Sequence, residues 1–182
     1  MPLVHQRIFF LALVAFLLPP SALAQLSPGY IRQALPEAAL VGQGLYRWFG
    51  LSIYKARLWG DKTKITTTGW SGNSFALELE YTRTLYGEKI AIASLDEIKK
   101  LGLGTSAQHE HWLAEMKKIF PNVEEGQQLT GIYTPGQPSR FFFNGKSIGE
   151  IADPEFGPAF FAIWLHPKTS APKLRQLLLS AK

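Results

Sequence analysis

Cysteine is absent from all 182 residues, which excludes a disulfide staple, a thiolate metal set and a cysteine-linked lipid anchor. The chain also lacks a strong charge of either sign: 19 basic residues face 14 acidic ones, for a net charge of +5. The lysines and arginines are scattered and no basic run is interleaved with exposed aromatics, so nucleic acid is not an expected partner. There is no Gly-x-Ser-x-Gly elbow and no phosphate-binding glycine loop, which leaves hydrolase and nucleotide-dependent chemistry without an anchor. His109 and His111 lie two apart on a predicted helix, about 200° around its axis, so they cannot share a metal, and no metal or cofactor is expected. Low-complexity linkers, internal repeats and shifts of composition are missing too, which argues for one domain.

The one long apolar run comes first. Arg7 precedes Ile8 to Leu18, Pro19-Pro20 breaks the run, and Ala22-Leu23-Ala24 offers small residues before Gln25. A membrane span needs about 20 apolar residues, so this shorter run reads as a secretory signal peptide over 1–24. The mature chain of 25–182 is then expected to be periplasmic or secreted, with no membrane span once the signal is removed. Its charge is +4, from +5 less Arg7. A domain of this length can bury roughly 70% of its unfolded surface, enough for a core without covalent staples.

Within 25–182 two extended stretches, Leu45 to Phe49 and Leu51 to Trp59, flank Gly50, read as a bend or bulge. The β-branched run Thr63 to Thr68 can add a strand. Phe75, Leu77, Leu79 and Tyr81 alternate with polar residues, and Arg83 continues the buried parity. Ile90, Ala91, Leu95, Ile98 and Leu101 then line a helix that Gly102 ends. Thr105 with Gln108 caps a second helix, which carries Trp112, Leu113, Met116, Ile119 and Phe120 and stops at Pro121.

The last forty residues are the most regular. Leu129 to Tyr133 is a strand, and Arg140 to Phe143 runs into Asn144-Gly145, the pair that best tolerates a type I′ turn, with Lys146 to Ile151 returning. Asp153 and Pro154 start a helix so apolar, with Phe156, Phe160, Phe161, Ile163, Trp164 and Leu165, that it must lie on a sheet. His166-Pro167 ends it, and Leu174, Leu177 and Leu178 give a closing helix one apolar face. Such segregated runs predict an α+β fold: a large antiparallel sheet covered on one face by helices.

This order of elements resembles the bacterial branch of the chalcone isomerase-like family. The resemblance rests on Gly42-Gln43-Gly44-Leu45, Ile53 to Trp59, Leu79 to Arg83, Phe141 to Lys146 with Gly149, and Asp153 to Phe156 leading to Ile163-Trp164-Leu165. It implies an open-faced β-sandwich with a small-molecule pocket between sheet and helices. Plant enzymes of the superfamily, which close a chalcone to a flavanone, use an arginine, a threonine before a Val-Tyr pair, and a late Ser/Thr. With Ile53-Tyr54 set on that pair, the threonine position falls on Phe49 and the late Ser/Thr on Ile163, and no arginine is in register without a gap, Arg47 being nearest.

A cyclisation that develops oxyanion charge needs preorganised donors, so their replacement by Phe and Ile argues against chalcone chemistry, and no catalytic residue is assigned. What stays is an apolar pocket near one or two arginines, suited to a fatty acid or similar apolar acid. Relatives in the superfamily that bind fatty acids make this the preferred reading. Candidate ligand-binding residues are Arg47, Tyr54, Tyr81, Arg83, Phe161 and Trp164. Each has a structural alternative: an arginine at a strand end can pair with a structural carboxylate, and sheet tyrosines or helix aromatics can be plain core. The competing functions are an isomerase (intramolecular lyase) on an unknown substrate and a cavity-free envelope interaction protein.

Overall fold

The alternation along Phe75–Tyr81 becomes the third strand of a six-stranded sheet in the computed structural model, which describes residues 27–180. The expected leader over 1–24 and its boundary at Gln25 lie outside the described residues. In chain order the elements are α1 (Gly29–Ala34), β1 (Ala39–Trp48), β2 (Leu51–Gly60), β3 (Phe75–Tyr81), α2 (Gly87–Lys100), α3 (Ser106–Ile119), β4 (Gln128–Tyr133), β5 (Ser139–Phe143), β6 (Lys146–Ile151), α4 (Phe156–Leu165) and α5 (Pro172–Leu178). Strand order in space follows strand order in the chain, and every neighbouring pair is antiparallel. The fold is α+β, as its segregated runs of strands and helices predict.

One face of the sheet carries the main core. Ala56, Leu58, Leu77, Leu79, Leu129 and Phe141 meet Ala91, Leu95 and Ile98 of α2, Trp112 and Met116 of α3, the aromatics of α4, and Leu174 and Leu178 of α5. Phe161 lies over Gly131, where an added Cβ would come within 2.8 Å of its ring, so α4 seats against β4 because that strand gives up a side chain. At the other edge α5 presses its backbone on β1: a Cβ at Gly42 would lie 2.2 Å from the carbonyl oxygen of Leu177.

The second face is partly covered as well, where the sequence places helices on one face only. Ile31 of α1 packs on Trp59, Ala76 and Ile132. Beside them Glu78 is 2% exposed, a position a carboxylate tolerates only with partners. Arg57 supplies them by donating from Nη1 to Glu78 Oε1 at 2.6 Å and from Nη2 to Glu80 Oε2 at 2.8 Å, while the Tyr30 hydroxyl donates to Glu78 Oε2 at 3.3 Å.

Three local expectations are corrected. Thr63 to Thr68 forms turns: the Asp61 carboxylate accepts from the Thr63 N–H and hydroxyl, and Thr66 Oγ1 accepts from Gly69 N–H, so side chains satisfy the backbone that a sheet partner would have held. Of the two readings of Gly50 the bulge is corrected and the bend holds: Phe49 and Gly50 are the two turn residues of a hairpin, with φ of 46° and 80°. Asp153 caps the turn leading into α4, accepting from Glu155 N–H, and the helix itself starts two residues later with Glu155 at its N-cap. By contrast the Thr105–Gln108 capping box forms in both directions.

Candidate ligand pocket

A cavity of about 670 Å³ lies between the helix-covered face of β1 to β3, helix α2, helix α4 and the turn 169–171. Pockets that take small molecules run from about 300 to 1,000 Å³, so the space suits one ligand of that class. Two features of β1 and β2 shape its wall. Tyr46 pairs with Tyr54 and Arg47 with Ser52, which leaves Ile53 as an extra residue on β2. This bulge lets the neighbours Ile53 and Tyr54 both line the cavity. On β1 the lining residues are Tyr46 and Trp48, so Arg47 between them points to the other side and is exposed.

Three tyrosines meet at the sheet wall. Tyr46 stacks on Tyr54 with ring centroids 5.0 Å apart, and Tyr81 meets Tyr54 edge to face at 5.9 Å. The Trp164 indole donates from Nε1 to the Tyr54 hydroxyl at 2.9 Å, tying α4 to the sheet across the cavity. Burial pushes the Tyr54 and Tyr81 hydroxyls well above the ordinary tyrosine value, because phenolate in an apolar wall has lost its water. Both are therefore neutral across the physiological range.

The α2 wall is mixed. Ile90, Ala93, Ser94, Glu97 and Lys100 recur at helical spacing and all face the cavity. Ser94 Oγ donates back to the Ile90 carbonyl at 2.8 Å, and Glu97 accepts from Lys100 Nζ at 2.7 Å and from the Ser170 hydroxyl. Thr169 in turn donates to the Ile163 carbonyl. Each of these polar groups already has a partner in the protein. Lys89, at the rim, makes no ion pair among the described residues.

With a six-stranded antiparallel sheet and a pocket under its helices in view, the comparison with known sequences is decisive: residues 31–180 match the chalcone isomerase-like family. The chain belongs to that family. An uncharacterized protein of Haemophilus influenzae (strain ATCC 51907 / DSM 11121 / KW20 / Rd) is 27% identical over 139 residues, which span 76% of this chain and 66% of that relative. Among solved structures, a fatty-acid binding protein of Arabidopsis thaliana superposes with a TM-score of 0.60 at 13% identity, covering 79% of this chain and 87% of the other. That likeness shows a shared fold. The chalcone isomerase-like match covers all six strands and helices α2 to α5 in full.

Of the residues singled out from sequence, the structure brings Tyr54, Tyr81 and Trp164 together in the cavity wall. Phe161 is fully buried, packed on Phe75 and Tyr133, and its place in the wall is taken by Phe160. Arg83 follows the end of β3 and is exposed, so its expected buried parity does not hold: the strand stops at Tyr81 and the alternation stops with it. Arg47 is exposed for the reason given above. Phe49, at the position of the plant threonine, sits in the hairpin turn, while Ile163 does line the cavity. Sequence reading missed Tyr46, Lys89 and Phe160. The signal for Tyr46 is its spacing of two from Trp48 on one strand, which becomes readable only once the turn is set at Phe49-Gly50.

Proposed function

We propose that the chain binds a fatty acid or similar apolar acid in this cavity and acts as a non-catalytic carrier, working in the periplasm or outside the cell after losing residues 1–24. The observation that carries the reading is the cavity itself: roomy, walled by Ile53, Leu79, Leu85, Ile90, Phe160 and Ile163, with Lys89, which makes no ion pair among the described residues, at its rim. Tyr54, Tyr81 and Trp164 flank the apolar body, and Lys89 Nζ pairs with the carboxylate. Family membership and the fold shared with a fatty-acid binding protein support this assignment.

A carrier role agrees with the state of the tyrosines. A general base works best with a pKa near the operating pH, and burial moves Tyr54 and Tyr81 the other way. A second reading, an isomerase, draws on the same convergence, since a neutral tyrosine can donate to a developing oxyanion.

Native mass spectrometry of protein purified without detergent, followed by organic extraction, tests the binding reading. The expected result is one bound amphipathic acid per chain, with affinity reduced about tenfold by Lys89→Ala, the loss of one charge-assisted contact. A protein that is empty and takes up no added fatty acid sinks it. The intact mass of the exported protein, shorter by 24 residues, checks the leader. Conversion of the extracted ligand in deuterated buffer, abolished by Tyr54→Phe, favours the isomerase instead.

A further inference from the structure

The turn of the first hairpin is both strained and exposed. Phe49 holds φ at 46°, in the left-handed region that costs a phenylalanine backbone energy and that asparagine enters far more easily. Burial of its side chain does not compensate, since Phe49 is 88% exposed. Its ring meets Trp48 edge to face at 4.8 Å, and Trp48 and Leu51 are themselves 58% and 52% exposed. A strained outlier carrying an aromatic into solvent points to a use outside the fold.

Two arginines flank this tip. Arg47 precedes Trp48 directly. Arg83 follows Thr82, whose N–H donates to the Ile53 carbonyl at 3.0 Å, which brings the segment alongside the open end of β2. Both are exposed and neither makes an ion pair among the described residues. Trp48 and Ile53 also line the cavity, so the tip is continuous with the pocket wall.

We propose that the Trp48-Phe49 tip inserts into the surface of an anionic phospholipid bilayer, with Arg47 and Arg83 against the lipid phosphates and the pocket mouth at that surface. Tryptophan and phenylalanine favour the headgroup boundary, and each arginine adds attraction to an anionic leaflet. Docking stands independently of what the cavity holds; direct passage of an apolar acid between bilayer and cavity rests on the carrier reading.

Trp48 makes this testable in the full chain. It is the exposed one of five tryptophans, the other four being at most 7% exposed, and residues 1–47 contain none, so lipid contact by the leader gives no tryptophan signal. Vesicles of phosphatidylglycerol and phosphatidylcholine carrying brominated acyl chains are expected to blue-shift and quench this emission. Phe49→Asn, which relieves the turn and keeps the fold at least as heat-stable, should weaken partitioning roughly tenfold. Arg47→Gln with Arg83→Gln should do so by about the same factor and flatten the salt dependence.

Vesicle binding without Trp48 quenching, no binding at all, or a concentration-dependent dimer that shields Trp48 would each overturn the proposal. Quenching by a protein whose cavity takes up no fatty acid would keep docking and sink the carrier; a loaded protein that ignores vesicles would do the reverse.

Discussion

The hairpins β1–β2 and β5–β6 follow one local plan and end in different chemistry. Each turns on two residues of positive φ, Phe49-Gly50 and Asn144-Gly145, and each continues as Gly-x-Ser-Ile, Gly50 to Ile53 and Gly145 to Ile148. In both the isoleucine is the extra residue of a bulge: Arg47 pairs with Ser52 and Tyr46 with Tyr54, just as Phe142 pairs with Ser147 and Phe141 with Gly149. What comes after the bulge differs. Gly149, with φ of 141°, lets Ile119 of α3 close over the second hairpin, so that a Cβ there would meet it at 3.3 Å. Tyr54, at the same place in the first, stands as a wall of the cavity.

The tips differ too. Asn144 is locked to the neighbouring strand, its Oδ1 accepting from Gln128 N–H at 2.8 Å and its N–H donating to the Gln128 carbonyl at 2.9 Å. Phe49 occupies the equivalent position at 88% exposure. Local sequence therefore sets the backbone of both hairpins, while a few side chains decide that one is closed by β4 and α3 and the other open at its tip, with α5 resting on its outer strand.

That difference can be broken most severely at the outside support. Gly42→Ala is expected to destabilise the protein by more than about 3 kcal/mol in chemical denaturation, because the added methyl meets the α5 backbone, which cannot yield as a side-chain tip could. The next effect comes from giving the second hairpin the first one's tip. Asn144→Phe should cost about 2 kcal/mol, combining turn strain with the lost bond to Gln128. The reverse change, Phe49→Asn, should stabilise by about 1 kcal/mol, read as a raised thermal midpoint with an unchanged pocket.

The smallest effect is in pH. Tyr54 and Tyr81 titrate above their ordinary value of 10.0 in the folded state, so their contribution is complete below pH 10 and is lost as pH rises beyond it. Half a unit above that value the loss for each is under about 1 kcal/mol. Tyr54→Phe should shrink the alkaline fall in stability, and Arg140→Gln in the second hairpin should leave it unchanged.

Much of this was legible in the residues. The period of two along Phe75–Tyr81, the Asn144-Gly145 turn, the Thr105–Gln108 box and the apolar surface of α4 each name their own structure, because one strong local preference acts there without a competitor. Thr63 to Thr68 misled because β-branched composition is a weak preference and the Asp61 carboxylate outbids it with two short bonds. Helix α1 escaped notice at six residues, too short for a period to show, and it forms because Ile31 has Trp59 to cover.

The candidate site was legible in three of its aromatics, while Phe161, on the same helix as Trp164, turns into the core. Tyr81 and Trp164 lie inside regular elements, where alternation or helical spacing states which side they take, while Tyr54 shares the wall with its neighbour Ile53 because of the bulge. Arg47 and Arg83 lie beside a hairpin turn and past a strand end, where the side a residue takes depends on where the strand stops.

Sequence by itself determined the α+β class, the family, most of the strands and helices and three aromatics of the pocket wall, because these depend on preferences that act within a few residues. Tertiary structure alone decided which face each arginine took, that Glu78 is buried against Arg57, that α5 rests on Gly42, and that a cavity stays open beside Tyr54 while Ile119 fills the matching space beside Gly149. Each of those depends on a partner tens of residues away, and packing chooses such partners by shape and by the need to satisfy every buried polar atom.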